Sequence, residues 1–195
     1  MSSALIIFVR NPELGKVKTR LAKTMGDQEA LKVYKFLLQH TKEIISQLNL
    51  PIFIYYSELI DQFDIWKGEQ YHSKIQSGND LGEKMYNAFS EVLAEKYSKV
   101  VIIGSDCYEL STEIIKKGFD KLDNCDVVIG PAKDGGYYLL GLKTPILELF
   151  EKKQWSSSTV FEDTVHDINR LHLSAAYLPL LTDIDEEKDI TFLYN

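Results

Sequence analysis

The sequence predicts an α/β fold in which a mostly parallel β-sheet is flanked by helices. Short apolar segments typical of strands alternate with longer segments whose apolar residues recur at helical spacing, as in βαβ units. The run 99–106 is apolar over most of its length, as expected for a strand buried on both faces of a parallel sheet. The 195 residues, 45% of them hydrophobic, show no break in composition. We therefore expect one domain, 1–195, with one sizeable core.

The first half of the chain is predicted to contain four strands separated by helices. The long helix begins at Gly26-Asp27, and its apolar residues from Ala30 to Leu48 fall in helical register. Pro51 then separates it from the next strand. The predicted elements are a strand over 4–9, a helix over 26–48, a strand over 52–56, a short helix at about 58–66, a strand at about 71–75, a helix over 81–96 and the strand that leads to Asp106.

The second half continues the alternation with one exception. The segment 137–142 follows the preceding strand after a short polar turn with no helix between, which predicts an antiparallel or mixed-sheet strand. Ser111 is placed to cap the helix that follows the Asp106 strand. The predicted elements are a helix from Ser111 to about 122, strands over 126–130 and 137–142, a helix at about 157–171, a strand near Tyr177 and a last helix from about Glu186.

Bulk properties exclude several classes of protein. A formal net charge of −7 argues against general nucleic-acid binding. No apolar run approaches the roughly 18 residues of a membrane span, and no basic lead region precedes the first strand, so we expect a cytoplasmic protein without a membrane partner. The two cysteines, Cys107 and Cys125, form neither a disulfide framework nor a zinc motif.

The segment that joins the first strand to the first long helix is rich in cations. Arg10, Lys16, Lys18 and Arg20 lie within 11 residues, and Gly15 permits close approach of a ligand to the backbone. A loop in this position turns its amides toward the edge of the sheet where α/β proteins bind ligands. It is not a Walker A loop, because Val17 follows Gly15-Lys16 where Ser or Thr would be required after Lys. We predict a phosphate-binding loop.

Carboxylates follow two predicted strands. Asp106 ends the apolar run 99–106, and Asp183 and Asp185 follow the strand-like run 175–180. Ligands of open α/β sheets bind at the carboxyl ends of the strands. Hard oxygen donors suit Mg²⁺ or Mn²⁺, so the pattern predicts a site for one of these ions.

Two glycine-containing loops each allow two interpretations. In the loop 76–85, Asp80 caps the following helix or, together with Gly78, contacts a nucleotide base or ribose. In the segment 130–138, Asp134 is a turn residue or a carboxylate that faces the substrate, and the paired glycines beside two tyrosines favour the second interpretation.

Taken in order, six motifs resemble one bacterial family. It is the glycosyltransferase-A-like family known as radical-SAM/selenodomain-associated transferases or arsenosugar-biosynthesis glycosyltransferases. The resemblance spans nearly the whole chain and implies the Rossmann-like GT-A fold of nucleotide-diphospho-sugar transferases. The motifs are Phe-x-Arg-x-Pro-x-x-Gly-x-x-Lys-Thr-Arg-Leu at 8–21, Gln-x-Gly-x-Asp-Leu-Gly at 76–82, Gly-Ser-Asp-Cys at 104–107, Gly-Pro-Ala-x-Asp-Gly-Gly-Tyr-Tyr-Leu at 130–139, Trp-Ser at 155–156 and Asp-Ile-Asp at 183–185.

The resemblance also implies roles for particular residues. Asp106 becomes a metal ligand, and Asp183 or Asp185 supplies the second carboxylate. The chain departs from the family pattern at Tyr108, where proline is common, and the shape of the loop beside Asp106 depends on that position. Lys84 replaces the usual arginine, and Glu186 stands where threonine often follows. The implied contacts to the nucleotide phosphates are Arg10, Gly15, Lys18 and Arg20.

These inferences lead to three hypotheses. The first is a metal-dependent glycosyltransferase that uses a nucleotide-diphospho-sugar donor and a small-molecule acceptor, with Asp106 and Asp134 as catalytic residues and Asp134 as the base. The second is a guanylyltransferase-like nucleotidyltransferase, which joins a nucleoside triphosphate to a phosphorylated acceptor and releases pyrophosphate. The third is a nucleotide-binding regulatory protein without turnover. Fold alone does not decide among them.

Overall fold

Seven strands form one mixed β-sheet in the computed structural model, which describes residues 2–61 and 64–194. The strands are β1 (Ser3–Val9), β2 (Ile52–Tyr56), β3 (Tyr71–Ile75), β4 (Lys99–Ile103), β5 (Val127–Pro131), β6 (Tyr137–Leu142) and β7 (Ala175–Tyr177). Their order across the sheet is β3-β2-β1-β4-β6-β5-β7. All neighbouring pairs are parallel except the two that β6 makes, with β4 and with β5. The predicted α/β class, the mostly parallel sheet and the antiparallel strand over 137–142 are therefore confirmed.

The described residues form five α-helices, and four of them cover the two faces of this sheet. The five are α1 (Thr19–Met25), α2 (Asp27–Ser46), α3 (Leu81–Ala94), α4 (Thr112–Lys121) and α5 (Val160–Arg170). Helices α2 and α4 pack on one face, and α3 and α5 pack on the other. Two segments, Leu147–Leu149 and Glu187–Tyr194, form 3₁₀ helices, and the second is kinked at Ile190.

The interior strand β1, which lies between β2 and β4, shows why the sheet is buried on both faces. Leu5 and Ile7 pack into the cluster under α2 and α4, whereas Ala4 and Ile6 pack into the cluster under α3 and α5. All four side chains have no solvent exposure. Because successive strand residues point to opposite faces, a continuous apolar run is required where helices cover both sides.

The structure differs from the elements predicted by the sequence in two places. Helix α1 was not predicted, because its seven residues lie within the cationic segment and only Leu21 is buried. The short helix predicted at about 58–66 is not formed by its described residues, 58–61 and 64–66, and the remaining two lie outside the described residues. Here the Asp64 carboxylate accepts hydrogen bonds from the Tyr56 hydroxyl and the Trp66 amide. Such local side-chain bonds compete with helical ones.

The direction of the strands brings distant segments to one edge of the sheet. Strands β1, β2, β3 and β4 are parallel, so the residues that follow them lie at the same edge. Strand β6 is antiparallel to β4, and its first residue, Tyr137, therefore lies at that edge as well. A bridge between Ala132 and Leu181 brings the chain after β7 to the turn between β5 and β6. The loops that follow these strands, and the turn before β6, thus lie around one cleft.

Two further properties bear on the predictions from composition. Cys107 and Cys125 are both free thiols and both buried. Within residues 2–61 and 64–194, no helix combines the length and the apolar character needed to cross a bilayer.

Candidate functional site

A cleft of about 970 Å³ opens at this edge of the sheet. Its walls come from the segment after β1, the start of α3, the residues after β4, the turn before β6, the segment before α5 and the chain after β7. Ligand pockets of small-molecule enzymes fall within this range of size and, in α/β sheets, at this position. Among the predicted site residues, the cleft is lined by Arg10, Lys18, Arg20, Asp106, Asp134, Asp183 and Asp185.

The cationic segment forms one wall of the cleft. Arg10 is exposed, and its backbone is fixed by the buried Tyr34 of α2, whose hydroxyl accepts from Arg10 N at 2.8 Å and donates to Arg10 O at 3.0 Å. Lys16 forms ion pairs with Glu13 at 2.8 Å and with Glu58 at 3.3 Å. Because Lys16 is exposed, these pairs contribute little to stability and can be exchanged for a ligand's phosphates.

The buried side chain of Asn11 holds this segment to the loop after β2. Its Nδ2 donates to Leu59 O at 2.8 Å, and its Oδ1 accepts from Glu58 N at 3.1 Å and Leu59 N at 3.3 Å. Asn11 is 7% exposed. Neither Asn11 nor Tyr34 was singled out in the sequence, because each acts on a segment 24 or more positions away, and no local pattern reports such a contact.

The acidic wall lies directly against the cationic one. Lys18 Nζ is 3.0 Å from Asp106 Oδ1 and 3.3 Å from Asp185 Oδ1, and Arg20 Nη1 is 3.4 Å from Asp185 Oδ2. The Lys18 side chain is only 4% exposed. The structure therefore brings together two predicted phosphate contacts and two predicted metal ligands.

Asp183 lies deeper in the same cleft and is electrostatically crowded. Burial, followed by the negative charges of Asp106 and Asp134, raises the pKa of Asp183 to about 7, and the opposing effect of Lys18 is smaller. A carboxyl group whose pKa lies near 7 can hold or release a proton at neutral pH. Perturbed carboxyl groups of this kind are typical of functional clefts.

The carboxylates fit a divalent cation only in part. Among the described residues, no group of three or more His, Cys, Asp or Glu side chains is placed to hold a metal ion. The Asp106 Oδ1 atom is nevertheless buried and accepts no hydrogen bond from the part of the chain that the structure describes. Its contact with Lys18 is thus an ion pair without hydrogen-bond geometry. Mg²⁺ is commonly held by one or two carboxylates together with substrate phosphates, and this donor set fits that arrangement.

The Asp134 turn forms another wall of the cleft. Asp134 is exposed, and its Oδ1 accepts from Gly136 N at 2.8 Å. Gly135 has φ = 91°, and a Cβ atom there would lie 2.0 Å from Ser158 O. The turn is therefore packed directly against the segment before α5, which also lines the cleft. Asp134 is both a turn residue and a cleft carboxylate.

Three predicted nucleotide contacts, Gly15, Gly78 and Asp80, do not line the cleft. The structure gives Asp80 a structural role, because its carboxylate caps α3 by accepting from Glu83 N at 2.8 Å. Gly78 is required by packing, since a Cβ atom there would lie 2.8 Å from Lys84 N. Of the two interpretations of Asp80, the helix cap is the one that its hydrogen bond to Glu83 N matches.

The fold and the cleft together define a Rossmann-like α/β protein with a charged cleft at the carboxyl ends of its parallel strands. The chain belongs to the family described as "Uncharacterized protein conserved in bacteria (DUF2064)", whose family model matches residues 41–157. A crystal structure from Desulfovibrio desulfuricans G20, named as a candidate nucleotide-diphospho-sugar transferase, is 34% identical, with a TM-score of 0.92 over 100% of this chain and 87% of that chain. No curated protein sequence matches the chain.

More distant structures share the fold alone. The 4-diphosphocytidyl-2C-methyl-D-erythritol synthase from Anaerococcus prevotii DSM 20548 is 13% identical, with a TM-score of 0.61 over 98% of this chain and 93% of that chain. The inositol-1-phosphate CTP transferase from T. maritima is 14% identical, with a TM-score of 0.60 over 99% and 94%. The fold is thus that of nucleotidyl and nucleotide-sugar transferases.

Proposed function

We propose that the protein is a metal-dependent glycosyltransferase that uses a nucleotide-diphospho-sugar donor and a small-molecule acceptor. The observation that carries this proposal is that Arg10, Lys18 and Arg20 line the same cleft as Asp106 and Asp185. The name of the 34% identical protein supports a donor of this class. The narrower resemblance to radical-SAM-associated or arsenosugar-biosynthesis transferases stays part of the proposal.

The cationic segment would bind the diphosphate of the donor. Arg10, Lys16 and Arg20 reach the cleft from one wall, and the side chain of Arg20 is 59% exposed. Cations that are fixed in place before the reaction stabilise the charge that develops on a departing diphosphate. The Tyr34 and Asn11 contacts hold the backbone at the start of this segment, so the chain that carries the cations is in place before the donor arrives.

Asp106, with Asp183 or Asp185, would hold Mg²⁺ or Mn²⁺. When bound, such an ion neutralises the phosphate oxygens of the leaving group. The buried Asp106 Oδ1, which accepts no hydrogen bond from the described residues, supports this assignment. The crowding that raises the pKa of Asp183 supports it as well, because excess negative charge favours a bound cation.

The Asp134 carboxylate would act as the base. It would accept the proton of the acceptor hydroxyl while that oxygen bonds to the anomeric carbon. The bond from the anomeric carbon to the phosphate oxygen then breaks, and the nucleoside diphosphate leaves with the electron pair. The Gly136 amide orients Asp134 for this step.

Product analysis tests the proposal against the two alternatives. The protein is incubated with Mg²⁺ or Mn²⁺ and each of a panel of nucleotide-sugars and nucleoside triphosphates. Release of a nucleoside diphosphate from a nucleotide-sugar supports the proposal. Release of pyrophosphate from a triphosphate identifies a nucleotidyltransferase instead, and binding without either product identifies a regulatory protein.

A pair of matched variants tests the cleft itself. Asp106→Asn should lower the rate of diphosphate release by about 100-fold or more, because the substitution removes a charge that acts at the reacting phosphates. Asp120→Asn makes the same chemical change on the exposed surface of α4 and should leave the rate unchanged. Equal rates for both variants and the unmodified protein would contradict the assignment of the cleft.

A further inference from the structure

Lys18 has an unusual conformation for a lysine. Its backbone is left-handed, with φ = 48° and ψ = 44°, at the position that precedes α1. Non-glycine residues adopt this region infrequently, and lysine is not among the residues enriched there. The surrounding structure therefore holds Lys18 in place. Its side chain, at 4% exposure, is the most enclosed among the cations that pair in the cleft.

The consequence of this conformation is the position of the ammonium group. Nζ lies between Asp106 Oδ1 at 3.0 Å and Asp185 Oδ1 at 3.3 Å. One carboxylate follows β4 and the other follows β7, 79 positions later by their numbers. Lys18 is thus the cation that joins the two acidic segments of the site.

The same two carboxylates are oxygen donors that a divalent cation would use. A divalent ion that contacts Asp106 Oδ1 would lie within a few ångströms of the lysine ammonium. Like charges at that separation repel. The ion and the ammonium therefore compete for one pair of carboxylates, unless the ammonium acquires another anionic partner.

We propose that Lys18 excludes the divalent cation until a nucleotide diphosphate binds and accepts the Lys18 ammonium as its partner. This inference rests on the proposed function and adds an order to its binding steps. The diphosphate supplies oxygens for both cations, so the nucleotide and the metal ion should each strengthen the binding of the other. Metal alone should bind weakly to the unmodified protein.

The experiment measures binding and needs no turnover. The affinity of Mn²⁺ for the protein is measured by titration calorimetry, first alone and then with saturating UDP, GDP, CDP or ADP in turn. Lys18→Met removes the ammonium and keeps a side chain of similar length. It should bind Mn²⁺ alone about tenfold more tightly than the unmodified protein, and the enhancement by nucleotide should shrink.

Lys32→Met is the matched control, because Lys32 pairs with Glu29 on the exposed surface of α2 and does not line the cleft. It removes the same charge and should leave the affinity for Mn²⁺ alone unchanged. Equal gains for both variants would overturn the inference, since net charge would then explain them. Unchanged or weaker Mn²⁺ binding by Lys18→Met would overturn it as well.

A structure of the unmodified protein keeps the inference testable if Lys18→Met does not fold. Crystals soaked with Mn²⁺ alone should show Nζ between Asp106 and Asp185, and crystals with Mn²⁺ and the nucleotide should show Nζ on the phosphates. Mn²⁺ on Asp106 without nucleotide overturns the inference and leaves the proposed function standing. Failure of Mn²⁺ and every nucleotide to bind overturns both.

Discussion

The contact between Asn11 and the loop after β2 makes a sharp prediction about stability. Asn11→Ala removes a donor to Leu59 O at 2.8 Å and an acceptor for Glu58 N at 3.1 Å and Leu59 N at 3.3 Å. The bond from Asn11 N to Ser57 Oγ at 3.3 Å and the Lys16–Glu58 ion pair remain, so the two segments stay joined at fewer points. The substitution should therefore loosen both segments together.

The expected loss follows from the two shorter bonds. Net hydrogen bonds contribute about 0.5–1.5 kcal/mol each, and a buried group left without its partner costs about 1–3 kcal/mol. Leu59 is 54% exposed, so water can replace part of what is lost at its backbone. We expect the free energy of unfolding to fall by about 2 kcal/mol. For a chain of this length, that loss lowers Tm by about 4–8 °C.

Urea denaturation and amide hydrogen exchange together check this value. Asn11→Asp serves as the informative companion, because it keeps the acceptor for the Glu58 and Leu59 amides while it replaces the donor by a negative charge. These two amides should exchange faster in Asn11→Ala and stay protected in Asn11→Asp. The contact does not hold the loop if the free energy of unfolding of Asn11→Ala lies within about 0.5 kcal/mol of that of the unmodified protein and its amide exchange is unchanged.

Two further predictions concern charged groups. Lys153→Met should lower the free energy of unfolding by about 3 kcal/mol, because the 1% exposed ammonium pairs with Asp167. Burial alone would raise the pKa of Asp167, but hydrogen bonds from Lys153 and Arg170 outweigh burial and hold that pKa below its ordinary value. The stability that the ionised Asp167 contributes should therefore be lost below about pH 4, as measured by urea denaturation at a series of pH values. Removing the exposed Arg170 should cost less than about 1 kcal/mol. Asp183→Asn should stabilise the metal-free protein by about 2–4 kcal/mol at pH 8, because a pKa of about 7 makes the folded state lose stability between pH 4 and 7. If the free energy of unfolding of Asp183→Asn at pH 8 in EDTA does not exceed that of the unmodified protein, burial and neighbouring negative charges do not destabilise the ionised Asp183.

The strands and long helices were predictable because their signals are local. A strand buried on both faces must be apolar over most of its length, as β1 is from Ala4 and β4 is from Val100. An amphipathic helix such as α3 must repeat its apolar residues at helical spacing. Helix α1 escaped prediction because it is short and buries little, so its sequence carries cations where apolar periodicity would be expected.

The chemical character of the site was also predictable in part. A cationic segment after the first strand and carboxylates after two later strands must meet if the strands are parallel, since the carboxyl ends share one edge. Gly15, Gly78 and Asp80 are predicted nucleotide contacts that do not line the cleft, and they show the limit of this argument. A glycine or a capping residue satisfies backbone requirements equally well inside a cleft or beside it.

The sequence by itself determined the α/β class, the edge of the sheet at which the cleft opens and the charges found there, because these depend on periodicity and on strand direction. Only the tertiary structure decided which charges are neighbours. Lys18 and Asp185 are 167 positions apart, and their contact depends on how α1 and the chain after β7 pack. Distances of about 3 Å are set by packing, and no local sequence pattern encodes them.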